Sequence, residues 1–170
     1  MRPVALALAK CWEGKTMELG DILAIDGIVP QLAATSKKQA LEELSALASI
    51  ATHIDAREVF NALLHRERLG STGLGHGIAI PHVKFKSLKN IVCIFARLKT
   101  PIDFESPDGE PVDLMFLLLA PEHAGGDHLK ALARISRLVR EPASLEQLRR
   151  APDKAALKVL LTEPASPQAA

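Results

Sequence analysis

This sequence holds almost no net charge, little cysteine and no long apolar run. Its 21 lysines and arginines stand against 20 aspartates and glutamates, which leaves +1. No global field therefore draws it to nucleic acid or to an anionic bilayer, and partners must be recognised locally. No apolar stretch reaches the length of a membrane-spanning helix. The N-terminal run Val4–Ala9 stops at Lys10, short of the apolar region of a signal peptide. The two cysteines, Cys11 and Cys93, form no CxxC pair, and Cys93 lies inside an apolar run, which fits a small buried hydrophobe in a reducing compartment. The expectation is a cytoplasmic protein with no membrane insertion and no nucleic-acid partner. Its 170 residues suffice for one domain with a sizeable core, and neither an internal repeat nor a second domain is visible.

Glycine, by contrast, is concentrated. Gly70, Gly73, Gly75 and Gly77 fall within eight residues, followed by Ile78-Ala79-Ile80 and Pro81-His82. Glycine admits positive φ and close backbone approach, and proline ends strand pairing. The stretch therefore reads as a flexible loop handing over to a short strand that stops at His82. A histidine beside such a loop suits chemistry on an anion or phosphoryl group, because glycine-rich backbone offers nests of N–H donors. A tight turn followed by a half-exposed histidine satisfies the same spacing.

Residues 1–16 carry no helix or strand period that continues past Met17; they are expected to be a variable extension, with Met17 a possible true start. From Glu18 to Val29 the apolar spacing predicts a helical turn and then a strand ending before Pro30. Ser36 and Gln39 have capping-box spacing ahead of Ala40, Leu41, Leu44, Leu47 and Ala48, and Asp55 with Glu58 repeats the device ahead of Val59, Phe60, Leu63 and Leu64. The second of these helices runs to about Arg68 and brings Arg66 to the mouth of the glycine loop. Lys84 to Asn90 reads as a polar turn. Ile91–Ala96 and Val112–Ala120 are apolar at both parities, so they are strands covered on both faces, and helices must flank the sheet. Between them Pro107-Asp108-Gly109 marks a turn, with Asp103-Phe104 in an exposed connection. Asp127 is the expected N-cap of a helix carrying Leu129, Leu132, Ala133, Ile135, Leu138 and Val139, with His128 in its first turn. Shorter helices are expected from Ser144 and from Asp153, before a flexible tail over residues 163–170.

Arg66-Glu67, Leu69-Gly70-Ser71-Thr72-Gly73, Gly75 and Gly77-Ile78-Ala79-Ile80-Pro81-His82 together resemble the signature of the IIA phosphocarrier domains of the bacterial phosphotransferase system, fructose/mannitol class. The likeness extends to Thr100–Phe104, Pro111–Leu114 and His128-Leu129, covers residues 17–162, and is greatest to the nitrogen-related regulatory branch. It implies an α/β fold, a mixed sheet of about five strands with helices on both faces. It further implies that His82 is the acceptor that becomes a tele-phosphohistidine, that His128 stabilises the phosphate and that Arg66 stabilises its charge. The implied donor is an HPr-like phosphocarrier protein (NPr), charged from phosphoenolpyruvate through a dedicated first enzyme. Implied targets are regulated proteins such as potassium-transport components or sensor kinases, with neither cofactor nor metal. On this reading the protein is a phosphohistidine carrier rather than a conventional turnover enzyme. Two positions depart from the family: Val83, where glycine is frequent, and His76, where asparagine is common. Neither is a proposed reacting group.

Other readings compete at single residues. Without the resemblance, His128 reads first as an N-terminal helix residue facing solvent, and Arg66 has the competing reading of a solvated helix-end arginine. His76 and His82 lack the further ligands zinc requires. Ser71 and Thr72 are loop hydrogen-bonding residues, since no nucleophile elbow surrounds them. His53, His65 and His123 are surface or helix-end histidines. At the level of the whole chain the alternatives are a fructose- or mannitol-specific IIA component that passes phosphate to a IIB domain, and a pure anion-binding module.

Overall fold

The computed structural model describes residues 17–163, so the expected extension, Cys11 and the tail after Glu163 lie outside the described residues. The elements in order are α1 (Leu19–Ile22), β1 (Leu23–Leu32), α2 (Lys37–Thr52), α3 (Ala56–Arg68), β2 (Gly73–Gly75), β3 (Ile78–Ala79), β4 (His82–Phe85), β5 (Val92–Ile102), β6 (Val112–Pro121), α4 (Gly125–Arg140), α5 (Pro142–Arg150) and α6 (Lys154–Thr162). They form one mixed α/β sheet of six strands, ordered β1-β5-β6-β3-β2, with β4 also paired to β6.

Strand β6 organises the sheet. It runs antiparallel to β5, with Phe95 opposite Phe116, and takes β3 and then β4 in parallel along its other edge, with Ile78 opposite Leu114 and His82 opposite Leu118. Successive side chains on a strand point to opposite faces, and both faces are apolar here. Met115, Leu117 and Leu119 enter a core closed by α2 and α3, while Leu114, Phe116 and Leu118 enter a second core closed by α1, α4, α5 and α6. The doubly apolar runs thus carry the meaning expected of them. Cys93 lies in the second core, fully buried, and desolvation pushes its thiol up to about 12.

The helix caps follow the sequence with one change of partner. Ser36 accepts the Gln39 N–H at 3.1 Å, but the Gln39 side chain accepts from the N–H and hydroxyl of Thr35 instead of returning to Ser36. Asp55 accepts from Arg57 and Glu58 N–H groups, and Asp153 from Ala156 N–H at 2.8 Å. Helix α4 begins at Gly125, two residues before the expected cap, so Asp127 lies within its first turn. Its buried face carries His128, Ala131, Ile135 and Val139, whereas Leu129 points outward and Ala133 is exposed. Helix α5 begins at Pro142 rather than Ser144, because proline suits the first helical position, where no N–H is needed.

Several expectations about strands fail for identifiable reasons. Strand β1 continues through Pro30 to Leu32; among the described residues it is an edge strand paired only with β5, so a missing N–H can face outward. Between Leu23 and Ile28 it spans five steps against two on β5, which pushes Ile25 out to 94 % exposure. Strand β5 is longer than its apolar run and reaches Ile102. Lys84 and Phe85 extend β4 rather than forming a turn, and Phe85 is buried. Phe104 is not in an exposed connection: it is fully buried, beneath the Lys37 ammonium at 4.5 Å from the ring centre. The turn at Pro107-Asp108-Gly109 is present, with the Gly109 N–H bonded to Ser106 O at 2.9 Å.

Candidate active site

The glycine-rich stretch folds as a two-residue hairpin rather than as a flexible loop. Strands β2 and β3 pair antiparallel, and the turn residues His76 and Gly77 have φ of 56° and 81°. Positive φ at both central positions is the type I′ geometry whose twist matches a hairpin. Histidine is among the few non-glycine residues enriched there, which explains why His76 stands in for asparagine. The turn is tied down from outside. Asp108 accepts the His76 N–H at 2.9 Å, and Arg149 donates to the His76 carbonyl at 2.6 Å while gripping Asp113 at 2.7 and 2.9 Å.

The other end of the hairpin is fixed to α3. Val59, Leu63 and Glu67 form one buried stripe on that helix. The Glu67 carboxylate accepts the Thr72 N–H at 3.1 Å and the Thr72 hydroxyl, and pairs with Lys37 at 2.9 Å. Ser71 donates to Phe104 O at 2.8 Å, so both hydroxyls of the motif are loop hydrogen-bonding groups. Thr72 O in turn accepts the Ile80 N–H at 3.1 Å, and Pro81 O accepts the Leu118 N–H at 2.9 Å.

His82 therefore opens β4 instead of ending the strand before it. Its Nδ1 lies 2.8 Å from Ile80 O. A carbonyl only accepts, so Nδ1 carries the hydrogen and the lone pair of the neutral ring falls on Nε2. The ring is half-buried.

His128 meets it edge to face, with ring centres 5.5 Å apart and planes at 70°. It does not face solvent: it is 7 % exposed, and its Nε2 is enclosed without a hydrogen-bond partner among the described residues. Burial, followed by the charges of His82 and Lys84, lowers its pKa from the ordinary histidine value. Its N–H bonds to Ala124 O at 2.8 Å, the first bond of α4, so His128 stands beside the positive end of that helix, which has no side-chain cap.

Arg66 is at the glycine stretch, donating from Nη1 to Gly70 O at 2.8 Å. The structure thus brings His82 and His128 together; among the described residues Arg66 makes no ion pair and no hydrogen bond to either. His53 is an exposed residue at the left-handed end of α2, and His65 and His123 are also exposed. Sequence reasoning missed Glu67 and Lys37, although the i, i+4 spacing of Glu67 from Leu63 placed it on the apolar stripe.

Residues 21–163 match the family described as phosphoenolpyruvate-dependent sugar phosphotransferase system, EIIA 2. A nitrogen regulatory protein of Bradyrhizobium diazoefficiens is 53 % identical over 148 residues, spanning 87 % of this chain and 97 % of the relative. A fructose-specific EIIA component of Haloferax volcanii is 37 % identical, over 75 % of this chain and 84 % of its own length. Among solved structures, the nitrogen regulatory protein IIA-Ntr of Neisseria meningitidis superposes with a TM-score of 0.81 at 37 % identity, covering 85 % of this chain and 99 % of that one.

Proposed function

The chain belongs to the EIIA 2 family of the phosphoenolpyruvate-dependent phosphotransferase system, and on that premise we propose that it is a cytoplasmic, nitrogen-related phosphocarrier whose His82 Nε2 takes a phosphoryl group from an HPr-like phosphohistidine protein. The observation that carries this reading is the bond from His82 Nδ1–H to Ile80 O, which leaves Nε2 as the free nucleophile. Nε2 attacks phosphorus in line. The new N–P bond forms as the donor's N–P bond breaks, and the donor imidazole leaves with the electron pair, so no general base is needed.

The surrounding residues act on charge and position. The enclosed Nε2 of His128 is a polar atom in want of a partner, and a phosphoryl oxygen on His82 supplies one. Arg66, with Nη1 on Gly70 O, keeps further N–H groups for phosphate charge. Once His82 is phosphorylated, roughly two negative charges sit at the edge of the surface around it, enough to change which partner fits. That is the regulatory output, directed at proteins such as potassium-transport components or sensor kinases. No helix among the described residues is long and apolar enough to cross a membrane.

A fructose-specific IIA component is the second reading, favoured by the Haloferax likeness. Incubation with phosphoenolpyruvate, the first enzyme and the HPr-like carrier of the nitrogen branch should give acid-labile, base-stable phosphate in the wild type and none in His82→Ala. If only the sugar-branch carrier labels His82, the second reading replaces the first. If neither does while a control IIA protein is labelled in the same tube, the phosphocarrier reading falls.

A further inference from the structure

Glu67 is a carboxylate on the apolar stripe of α3, its side chain 3 % exposed. An acid in such a place is retained only when its charge is matched. Here Lys37 supplies the charge and Thr72 supplies two hydrogen bonds, one from the backbone and one from the hydroxyl. The Lys37 ammonium is itself held over the Phe104 ring and within 3.4 Å of Phe104 O.

The bonds beyond Thr72 give this pair a reach outside the core. Thr72 O holds the Ile80 N–H, and the carbonyl of that same Ile80 holds His82 Nδ1. The path from α2 through α3 to the imidazole thus runs Lys37, Glu67, Thr72, Ile80, His82, each step a polar contact or a single residue. Turning the Ile80 carbonyl away would release Nδ1, let the ring change tautomer, and put a hydrogen on the nitrogen that must attack.

We propose that Glu67, charged against Lys37, is a positioning residue for His82: through Thr72 and Ile80 it fixes the imidazole tautomer and ring orientation required for phosphoryl transfer. The rate it affects rests on the phosphocarrier reading; the tautomer does not. Glu67→Gln and Thr72→Val each remove part of the clamp, the second while keeping the Thr72 N–H bond to Glu67. Thr72→Ser restores the hydroxyl.

The test uses the full chain labelled with 15N-histidine, at about pH 8, where histidine is neutral. Long-range proton–nitrogen correlation of the wild type should show His82 with its hydrogen on Nδ1. Glu67→Gln and Thr72→Val, folded by circular dichroism, should show a mixture of tautomers and transfer phosphate at least about tenfold more slowly, as expected for a displaced nucleophile. Thr72→Ser should recover both readings.

Folded variants that keep the wild-type tautomer and a rate within about twofold of the wild type overturn the proposal. So does a slowed Thr72→Val with an unchanged tautomer. Should Glu67→Gln fail to fold, the Thr72→Val and Thr72→Ser pair decides by the same two readings. A wild type that accepts no phosphate defeats the phosphocarrier reading alone, because the tautomer comparison still decides the role of Glu67.

Discussion

His82 and His128 share one small space, their rings edge to face at 5.5 Å, yet among the described residues only His82 has a ring nitrogen in a hydrogen bond. The asymmetry supports the roles proposed above, in which the imidazole with a fixed tautomer acts as nucleophile and the one with an unpartnered nitrogen answers the charge that arrives.

His128 should titrate below the ordinary histidine value near 6.5, because burial and the charges of His82 and Lys84 oppose its cationic form. As pH falls, the unfolded chain protonates this residue first. The native state therefore loses stability below about pH 6.5, toward the lowered folded value, and His128 costs nothing above that range. The Tm of His128→Gln relative to wild type should rise between about pH 7.5 and about pH 5.5. A constant difference across that window contradicts the assignment. Phosphorylation of His82 should reverse the sign and move the His128 titration upward, as followed by NMR of the 15N-histidine-labelled chain.

Phosphoryl transfer to His82 should slow by about 10²- to 10³-fold in His128→Ala, the usual cost of losing one donor to developing charge. Arg66→Ala should cost less, about 10- to 100-fold. Rapid-quench labelling with a fixed donor concentration separates these from the complete loss expected of His82→Ala.

The hairpin turn separates two kinds of substitution. Gly77 has φ of 81°, and a Cβ there would lie 2.8 Å from Asp113 Oδ1, inside the Arg149 grip. Gly77→Ala should destabilise the protein by about 1–3 kcal/mol. His76→Asn offers the turn its favoured residue and should leave stability equal or higher, within about 0.5 kcal/mol. Urea unfolding of the two variants beside wild type checks both.

Cys93 should be inert in the native state, since it is fully buried and its thiol is pushed up to about 12. Alkylation followed by peptide mapping should find it unmodified until denaturant is added. Modification under native conditions would mean that the second core opens locally.

How far these features were legible depends on whether they are local. Strands β5 and β6 announced two buried faces because every position in Val112–Ala120 except Asp113 is apolar, and helices on both sides hide that surface. Asp55 and Asp153 could be recognised as caps because a cap bonds its own helix. Phe104 could not be placed, since it joins a core built from distant parts of the chain and lies beneath Lys37, sixty-seven residues earlier. The strand through Pro30 was hidden by proline, whose exclusion from sheets is lifted only at an edge that the sequence does not identify. At the candidate site, the motif singled out His82 and His128, which the fold brings together, but not the bond from Nδ1 to Ile80 O or the enclosure of the His128 Nε2, because both require the folded backbone.

Strand β6 has a mechanical consequence. Its neighbouring residues belong to different cores, so neither helical layer can peel away without leaving half the side chains of β6 in water. The two layers are thereby tied into one cooperative unit. Amide hydrogens along Leu114–Leu119 should exchange with solvent only when the entire domain opens, while those of α2 or α6 can escape by fraying. His82, paired opposite Leu118, is anchored to the part of the molecule expected to exchange most slowly.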